Sequence, residues 1–535
     1  MQEADEKKFT TVAAGTDTDT ERSPDVTTET TEKDHAIQRT RTQSSSSPLS
    51  KARTISLVIV LTGAAFLNTL SVQACVIILP TIGRDLNIPS ARQQWIVSAY
   101  SLTFGCFLLL WGRLADVYGK RLIFIWGSAW VCVMTLVCPF IPNEIGFDVF
   151  RGLQGLGAAA NVPTAIGILG VTFPPGKAKN YAFATYSAGA PLGSVFGNFL
   201  GGLVGQYATW KWVFWVLAIM AALVTIAGHF LIPLPTLHPT EAKVKHAVDW
   251  PGGVVITVGL VILLFALTDG NVVGWSRPWI PVLIVLAILL VAAFICWQLY
   301  LERRTTRRPL MKVTIFKNVR VSAAMLIMTL FFSSFNGFLV FATYFYQDYQ
   351  GLDAIHTTIR FIPTGVVGVM TIFVTSQLLA LVKVQYILMF GTMCCALSSL
   401  LFAIPIPPDT TYWAWGFLAM CLSVFGADTL FPSLLLLVAH SLPREDQALG
   451  GAMVNAVGQI GRSVGLAIAT AIQVAIQENR QGSRTAIDGG VARENAGSLA
   501  GLRGADWFNF ATCLAAFIIA TVAMRGAGKV GAAKH

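Results

Sequence analysis

The sequence predicts an all-α polytopic membrane protein with fourteen transmembrane helices, and three observations carry that expectation. First, 54% of the 535 residues are apolar and only 12% are charged, with a mean hydropathy of +0.63; soluble domains carry about 25% charged residues. Second, the apolar residues come in runs long enough for spans of about 20 residues. Third, Lys and Arg collect in alternate gaps between those runs, as they do in cytoplasmic loops. The net charge of +10 is therefore loop charge. It does not gather on a soluble module, and no nucleic-acid recognition motif accompanies it, so nucleic acid is not expected as a partner.

The elements follow in order. Residues 1–50 are rich in Ser, Thr, Asp, Glu and Lys. That composition buries too little surface to fold and lacks the apolar core of a secretory leader, which predicts a disordered cytosolic tail with Ser44–Ser47 as a candidate phosphorylation patch. Six apolar runs lie at about 55–80, 93–111, 122–141, 147–171, 181–205 and 212–232, giving an N-terminal six-helix bundle over 51–232. A polar stretch from Leu234 to Val248, two runs at about 250–268 and 279–300 and a basic loop with Arg303, Arg304, Arg307, Arg308, Lys312 and Lys317 make an inserted pair and cytoplasmic linker over 233–318. Six more runs at about 321–346, 357–381, 385–405, 412–439, 450–475 and 507–524 form a C-terminal six-helix bundle over 319–525, followed by a short cytosolic tail, 526–535.

Charge sets the orientation. With the N-terminus inside, Arg113, Lys120, Arg121, Lys177, Lys179, Lys243, Lys245, Lys383 and Arg444 join the linker residues on the cytoplasmic side, and the even span count places both termini there. The exception is Glu478 to Asp506, with Arg480, Arg484, Arg493 and Arg503; long loops translocate largely regardless of charge. All nine cysteines fall within apolar runs, which reads as packing rather than as a disulfide framework. Trp210, Trp212 and Trp215 read as interfacial belt residues, and Phe331, Phe332, Phe335, Phe338 and Phe341 as candidates to line a greasy cavity. No Gly-x4-Gly-Lys-Ser/Thr loop is present: Gly170 to Lys177 has the wrong spacing and leads into Ala178. Neither a His/Cys metal cluster nor a nucleophile elbow appears, so the chain is not expected to be an enzyme or to hold a cofactor or metal.

Four features carry chemistry. Gly112, Arg113, Asp116, Gly119, Lys120 and Arg121 lie in a ten-residue stretch between the second and third runs. Charge and glycine at that density predict a tight, water-facing turn, with Asp116 needing a basic or helix-terminal partner. Arg151, Gln154, Gly155 and Ala158 share one helical face, and a charged residue inside a span faces an aqueous cavity or a partner, so Arg151 and Gln154 are candidates for proton coupling or for lining a substrate cavity, with a structural arginine near the helix end as the alternative. Gly189, Gly193, Gly197, Gly201 and Gly205 form a stripe at spacing four around Pro191, a smooth face for another backbone with a bend. It predicts a sliding contact between the bundles, with ordinary tight packing as the alternative. Finally, Asp428 lies mid-run and Arg462 in the next run. A carboxylate in low dielectric can trade its charge for a proton, so Asp428 is a candidate proton carrier, with a structural role through Thr429 or a helix end as the alternative. Arg462 is a candidate to pair with Asp428, to bind an anion, or to sit structurally near an interface. Asp249 and Asp269 bracket the seventh run as helix-terminal residues.

These segments resemble the signatures of the major facilitator superfamily. The 112–121 stretch resembles its loop between helices two and three, Arg151–Ala159 its fourth-helix motif, and Ser187-Ala188-Gly189-Ala190-Pro191-Leu192-Gly193 its fifth-helix antiporter motif. Gln94–Leu102, Asp249–Gly253, Tyr346-Gln347 and Arg360–Pro363 resemble the fourteen-span drug:proton antiporters. The resemblance covers roughly 55–525, and the Ser/Thr-rich tail is similar to those of fungal aminotriazole-resistance and secondary-metabolite efflux proteins. It implies a major facilitator fold with two parallel six-helix halves and an inserted pair. It also implies alternating access around a cavity at the bilayer midplane and proton-coupled efflux of drugs, toxins or small organic metabolites. One departure stands out: where many relatives carry an aspartate nine residues before a Leu-Pro pair in the first helix, this chain has Ser71. Its polar neighbours Asn68 and Gln73, candidates to line the cavity, carry no titratable proton at physiological pH, and neither does Ser71. The expected partners are a small-molecule substrate, protons and the lipid bilayer, and the expected state is a monomer in the plasma membrane, with the vacuolar membrane as alternative. An uptake carrier or uniporter for ammonium, borate or an organic acid is the rival reading, and a non-transporting sensor a minor one.

Overall fold

A computed structural model describes residues 50–88, 90–93, 95–174, 176–233, 248–305, 309–352, 354–407, 410–442, 446–481 and 496–529. The expected N-terminal tail, Gln94, Lys243, Lys245, Arg307, Arg308, Arg444, Arg484, Arg493 and the last six residues lie outside them. Among the described residues fourteen long helices occur. The first half comprises α1 (Lys51–Asp85), α2 (Trp95–Tyr118), α3 (Lys120–Val137), α4 (Glu144–Thr172), α5 (Lys177–Tyr207) and α6 (Lys211–Leu231). The inserted pair is α7 (Trp250–Val273) and α8 (Trp279–Arg304). The second half comprises α9 (Val319–Tyr344), α10 (Ala354–Leu381), α11 (Val384–Ala403), α12 (Gly416–Ser441), α13 (Gln447–Gln481) and α14 (Ala496–Ala523). Thirteen are long and apolar enough to cross a membrane. The exception is α5, whose apolar run is diluted by glycines, hydroxyls and Asn198.

Local chemistry sets several ends. Asn143 caps α4 by accepting from Gly146 N–H at 2.8 Å, and Asn318 caps α9 by accepting from Arg320 N–H at 3.1 Å. Asp249 caps α7 through Gly252 N–H at 3.0 Å, and its carboxylate also accepts from Trp297 Nε1 at 3.1 Å and Gln298 Nε2 at 2.6 Å on α8. Gln298 in turn accepts from Met311 N–H at 3.3 Å. One carboxylate thus joins both inserted helices to the linker. Outside the spans, burial pushes the Tyr412 phenol up to about 12, so its hydroxyl remains the donor that holds the Arg360 carbonyl at 2.7 Å.

From Ile55 onward the helices form one packed unit. Within the halves, α4 packs on α2 and α3, α13 on α9 and α14, and α11 on α12 and α14. Across the halves, α13 meets α2 and α4, and α10 meets α5. The inserted α7 rests on both α2 and α13; beside Gly105 of α2 stand Leu264 of α7 and Gln459 of α13, so this helix covers the seam between halves. By contrast α8 is peripheral, with 17% of its apolar stretch buried against 83% for α4.

Three expectations are corrected here. Gly112 to Tyr118 is helix rather than loop, because α2 continues to Tyr118 and only Gly119 breaks the chain; its φ of +104° is a region glycine alone adopts readily. The long segment beginning at Glu478 is shorter than expected, since α13 extends to Gln481 and α14 starts at Ala496, bringing Arg503 and Asp506 into a helix. Trp210 is buried rather than belt-facing: it packs edge-on against Phe147 and Phe214 and donates to Asp85 at 2.8 Å.

Candidate functional site

The 112–121 segment joins the halves through contacts with the start of α13. Continuing α2 carries Arg113 and Asp116 into the contact with α13. Asp116 Oδ2 accepts from Leu449 N–H at 3.0 Å, one of the donors that the first turn of a helix leaves unpaired, where the helix dipole favours a carboxylate. Its other oxygen meets Lys120 Nζ at 2.8 Å. Arg113 Nη1 donates to Asp446, just before α13, at 3.3 Å, and both side chains are nearly buried. Gly112 makes room: a Cβ there would lie 2.6 Å from Ala452 Cβ. Nearer the turn, Arg121 donates to the His229 carbonyl at 2.6 Å, tying α3 to α6.

Arg151 is fully buried in α4. Its Nε donates to the Ile96 carbonyl at 3.0 Å, and its Nη1 donates to Ser71 at 3.3 Å and to Gln154 Oε1 at 2.5 Å. Gln154 donates onward to Thr135 at 2.7 Å and to Ser71 at 3.2 Å. The guanidinium also lies 4.8 Å from the Tyr100 ring centre, and the Tyr100 hydroxyl donates to Asn68 at 2.6 Å. Ser71, Asn68, Arg151 and Gln154 are thus one network on α1, α2 and α4, so the residue that departs from the family pattern sits at the arginine. A small cavity of about 20 Å³ adjoins it, with Asn68, Ser71, Tyr100, Ser128 and Asn161 in its wall, room for one or two waters. Gln73 stands apart, half-buried against Gly197 of α5.

The glycine stripe does not face the other half. Cβ atoms at Gly189, Gly197 and Gly201 would meet Thr62 O at 2.8 Å, Leu70 O at 2.9 Å and Ala74 O at 2.8 Å, and one at Gly193 would meet Phe66 O. All four acceptors belong to α1, so the stripe seats two helices of the same half. The expected contact between bundles lies on another side of α5, where Val195 abuts Gly365 and Pro191 abuts Gly368, both on α10.

Asp428 is buried in α12, and among the described residues its Oδ2 has no hydrogen-bond partner. Space beside Gly368 is bounded by Asp428 Oδ2 at 2.5 Å and Pro191 Cβ at 3.4 Å. Two sequence candidates from opposite halves therefore meet at one point of α10. Pro432, four residues on in α12, lacks the N–H that would close the helical bond to the Asp428 carbonyl. Thr429 is not its partner, since that hydroxyl donates to Phe425 O and Gly426 O. Of the alternatives for Arg462, pairing with Asp428 is not the one the structure shows: that guanidinium lies over the Phe332 ring, 4.3 Å from its centre, a cation–π contact that needs no acid.

Sequence reasoning missed several participants. Asp446 stands in a Pro-Arg-Glu-Asp cluster that reads as loop charge. Tyr100 and Thr135 carry no charge to draw attention. Asp506, 2% exposed, accepts from Asn509 at 3.1 Å within α14; it lay beyond the apolar run as judged by hydropathy.

A family model described as Major Facilitator Superfamily matches residues 61–466. A low affinity ammonium transporter of Saccharomyces cerevisiae is 31% identical over 408 residues, 75% of this chain and 78% of its own. The efflux pump terJ of Aspergillus terreus is 27% identical over 440 residues, 81% of this chain and 83% of its own. Among solved structures, the human organic anion transporter MFSD10 superposes with a TM-score of 0.62 at 14% identity, covering 87% of this chain and 99% of its own.

Proposed function

The chain belongs to the major facilitator superfamily of membrane transporters, and on that premise we propose that it exports small organic compounds in exchange for protons, with Asp428 as the carrier. The observation that carries this reading is the burial of an unpartnered carboxylate against α10 at the point where Pro191 of α5 also arrives. A charge left without partners in low dielectric is costly, and a proton removes that cost. Because α5 and α12 belong to opposite halves, gaining or losing that proton changes the contact on which the halves move. The terJ similarity supports efflux.

Basic loop residues support a cytosolic placement of the α2–α3 turn and of both termini. On that placement, the contacts of Asp116, Arg113 and Gly112 with α13 hold the cytosolic side shut. Arg151, held by neutral groups, would orient the N-terminal half of the cavity. The plasma membrane and a monomeric state complete the reading.

A second reading has its own support. The similarity to an ammonium transporter and the neutral Ser71 beside Arg151 favour uptake of a small solute. Direction of flux separates the two. Fungal cells lacking or overexpressing the protein are loaded with ethidium or supplied with labelled methylammonium. Efflux predicts lower ethidium retention on overexpression and unchanged methylammonium entry; faster methylammonium entry with unchanged ethidium retention contradicts it.

A further inference from the structure

Among its described residues, the N-terminal half holds two buried polar atoms of opposite charge that are each without a hydrogen-bond partner. Arg151 uses Nε and Nη1 on neutral acceptors, while its Nη2 is buried and makes no hydrogen bond. One turn earlier on α4, Asp148 Oδ1 is likewise buried and unpartnered. Residues at i and i+3 share a helical face, and Arg151 reaches Ser71 of α1, so Asp148 lies on the side of α4 that faces α1. The charged groups facing Asp148 are Arg151 and Glu144; Glu144 is engaged by Arg92 at 3.2 Å. Of the two, Arg151 alone offers a free donor.

A buried guanidinium without a carboxylate is costly, and a side-chain rotation that joins the two groups removes two unsatisfied atoms at once. We propose that Asp148 is a second proton-binding carboxylate, one that exchanges its proton for an ion pair with Arg151. In the neutral form Asp148 keeps its proton and Arg151 stays on Ser71, Gln154 and the Ile96 carbonyl. When Asp148 releases the proton to water, the carboxylate turns to Nη2 of Arg151, and no other bond forms or breaks. The guanidinium is stacked on Tyr100, whose hydroxyl holds Asn68 on α1, so the exchange pulls on α1 and α2. Asp148 thereby supplies the acid that Ser71 does not. This inference rests on the proton-coupled reading but involves a different residue in the other half, and the two are tested apart.

The test is pH-difference infrared spectroscopy on the full-length protein in liposomes, without substrate, in H2O and D2O. A carboxyl C=O band that titrates is expected in the wild type, absent from Asp148→Asn, displaced in frequency in Asp148→Glu and retained in Asp428→Asn. Arg151→Gln is expected to move the midpoint of that band, and Arg151→Lys to move it less. Thermal unfolding of each variant checks that it is folded, and Asp148→Glu carries the test should Asp148→Asn fail to fold. Spectra that neither Asp148 variant alters, or a midpoint indifferent to Arg151→Gln, would overturn the proposal. Asp428 is judged by its own band, lost only in Asp428→Asn.

Discussion

At the scale of single residues, two charges of α2, Arg113 and Asp116, are placed where the other half completes them. Arg113 and Asp446 are both nearly buried, and removing one partner of such a pair strands the other charge at a cost of about 3–5 kcal/mol. Arg113→Asp should therefore open the contact between α2 and α13 and expose a cysteine placed at Ala452 to aqueous thiol reagents. The exchange Arg113→Asp with Asp446→Arg should restore much of the protection. Labelling of that cysteine at the wild-type rate in the single variant would show that the pair does not hold the halves. The types of these residues could be read from local sequence, but their partners could not. Asp116 meets Leu449, and Arg113 meets Asp446, across 333 positions, and nothing in the intervening chain encodes that distance. Asp428 shows the converse. Its burial was legible from the apolar run around it, and its lack of a partner only from the packing of α10 and α12.

At the scale of elements, spans and their order were legible because hydropathy and charge are local signals. Boundaries were not: α2 continues through a charged stretch because α13 supplies what those charges need, and α14 begins before its apolar run, where Asn509 donates to the buried Asp506. Helical spacing also gave the glycine stripe of α5 without its destination, since a smooth face fits any backbone. The seat on α1 makes a definite demand. Gly193→Leu would drive a side chain into the Phe66 carbonyl and the Leu70 N–H, and such overpacking costs about 1–3 kcal/mol. Lower thermal stability in detergent is the expected outcome, with proton dependence retained in whatever transport remains. Full stability would mean that α1 and α5 are less closely seated than described; normal stability with lost coupling would return the stripe to a moving role.

At the scale of the whole molecule, three features of the boundary between the halves stand out. The first is the charged contact where α2 meets α13. Beside it lies α7, covering the same seam. The third is the α5–α10 contact, where Pro191 and Asp428 converge. On the proposed reading, the transporter changes state when a proton alters the third contact and the α2–α13 contact then releases. That account is tested most directly in proteoliposomes carrying the wild type or Asp428→Asn, with ethidium as the probe and an imposed proton gradient as the only driving force. The account predicts gradient-driven ethidium movement in the wild type, against the direction of proton flow. In Asp428→Asn it predicts movement that follows only the ethidium gradient and is no longer driven by the proton gradient. Wild-type flux indifferent to the proton gradient, or an Asp428→Asn protein still driven by it, would contradict the account.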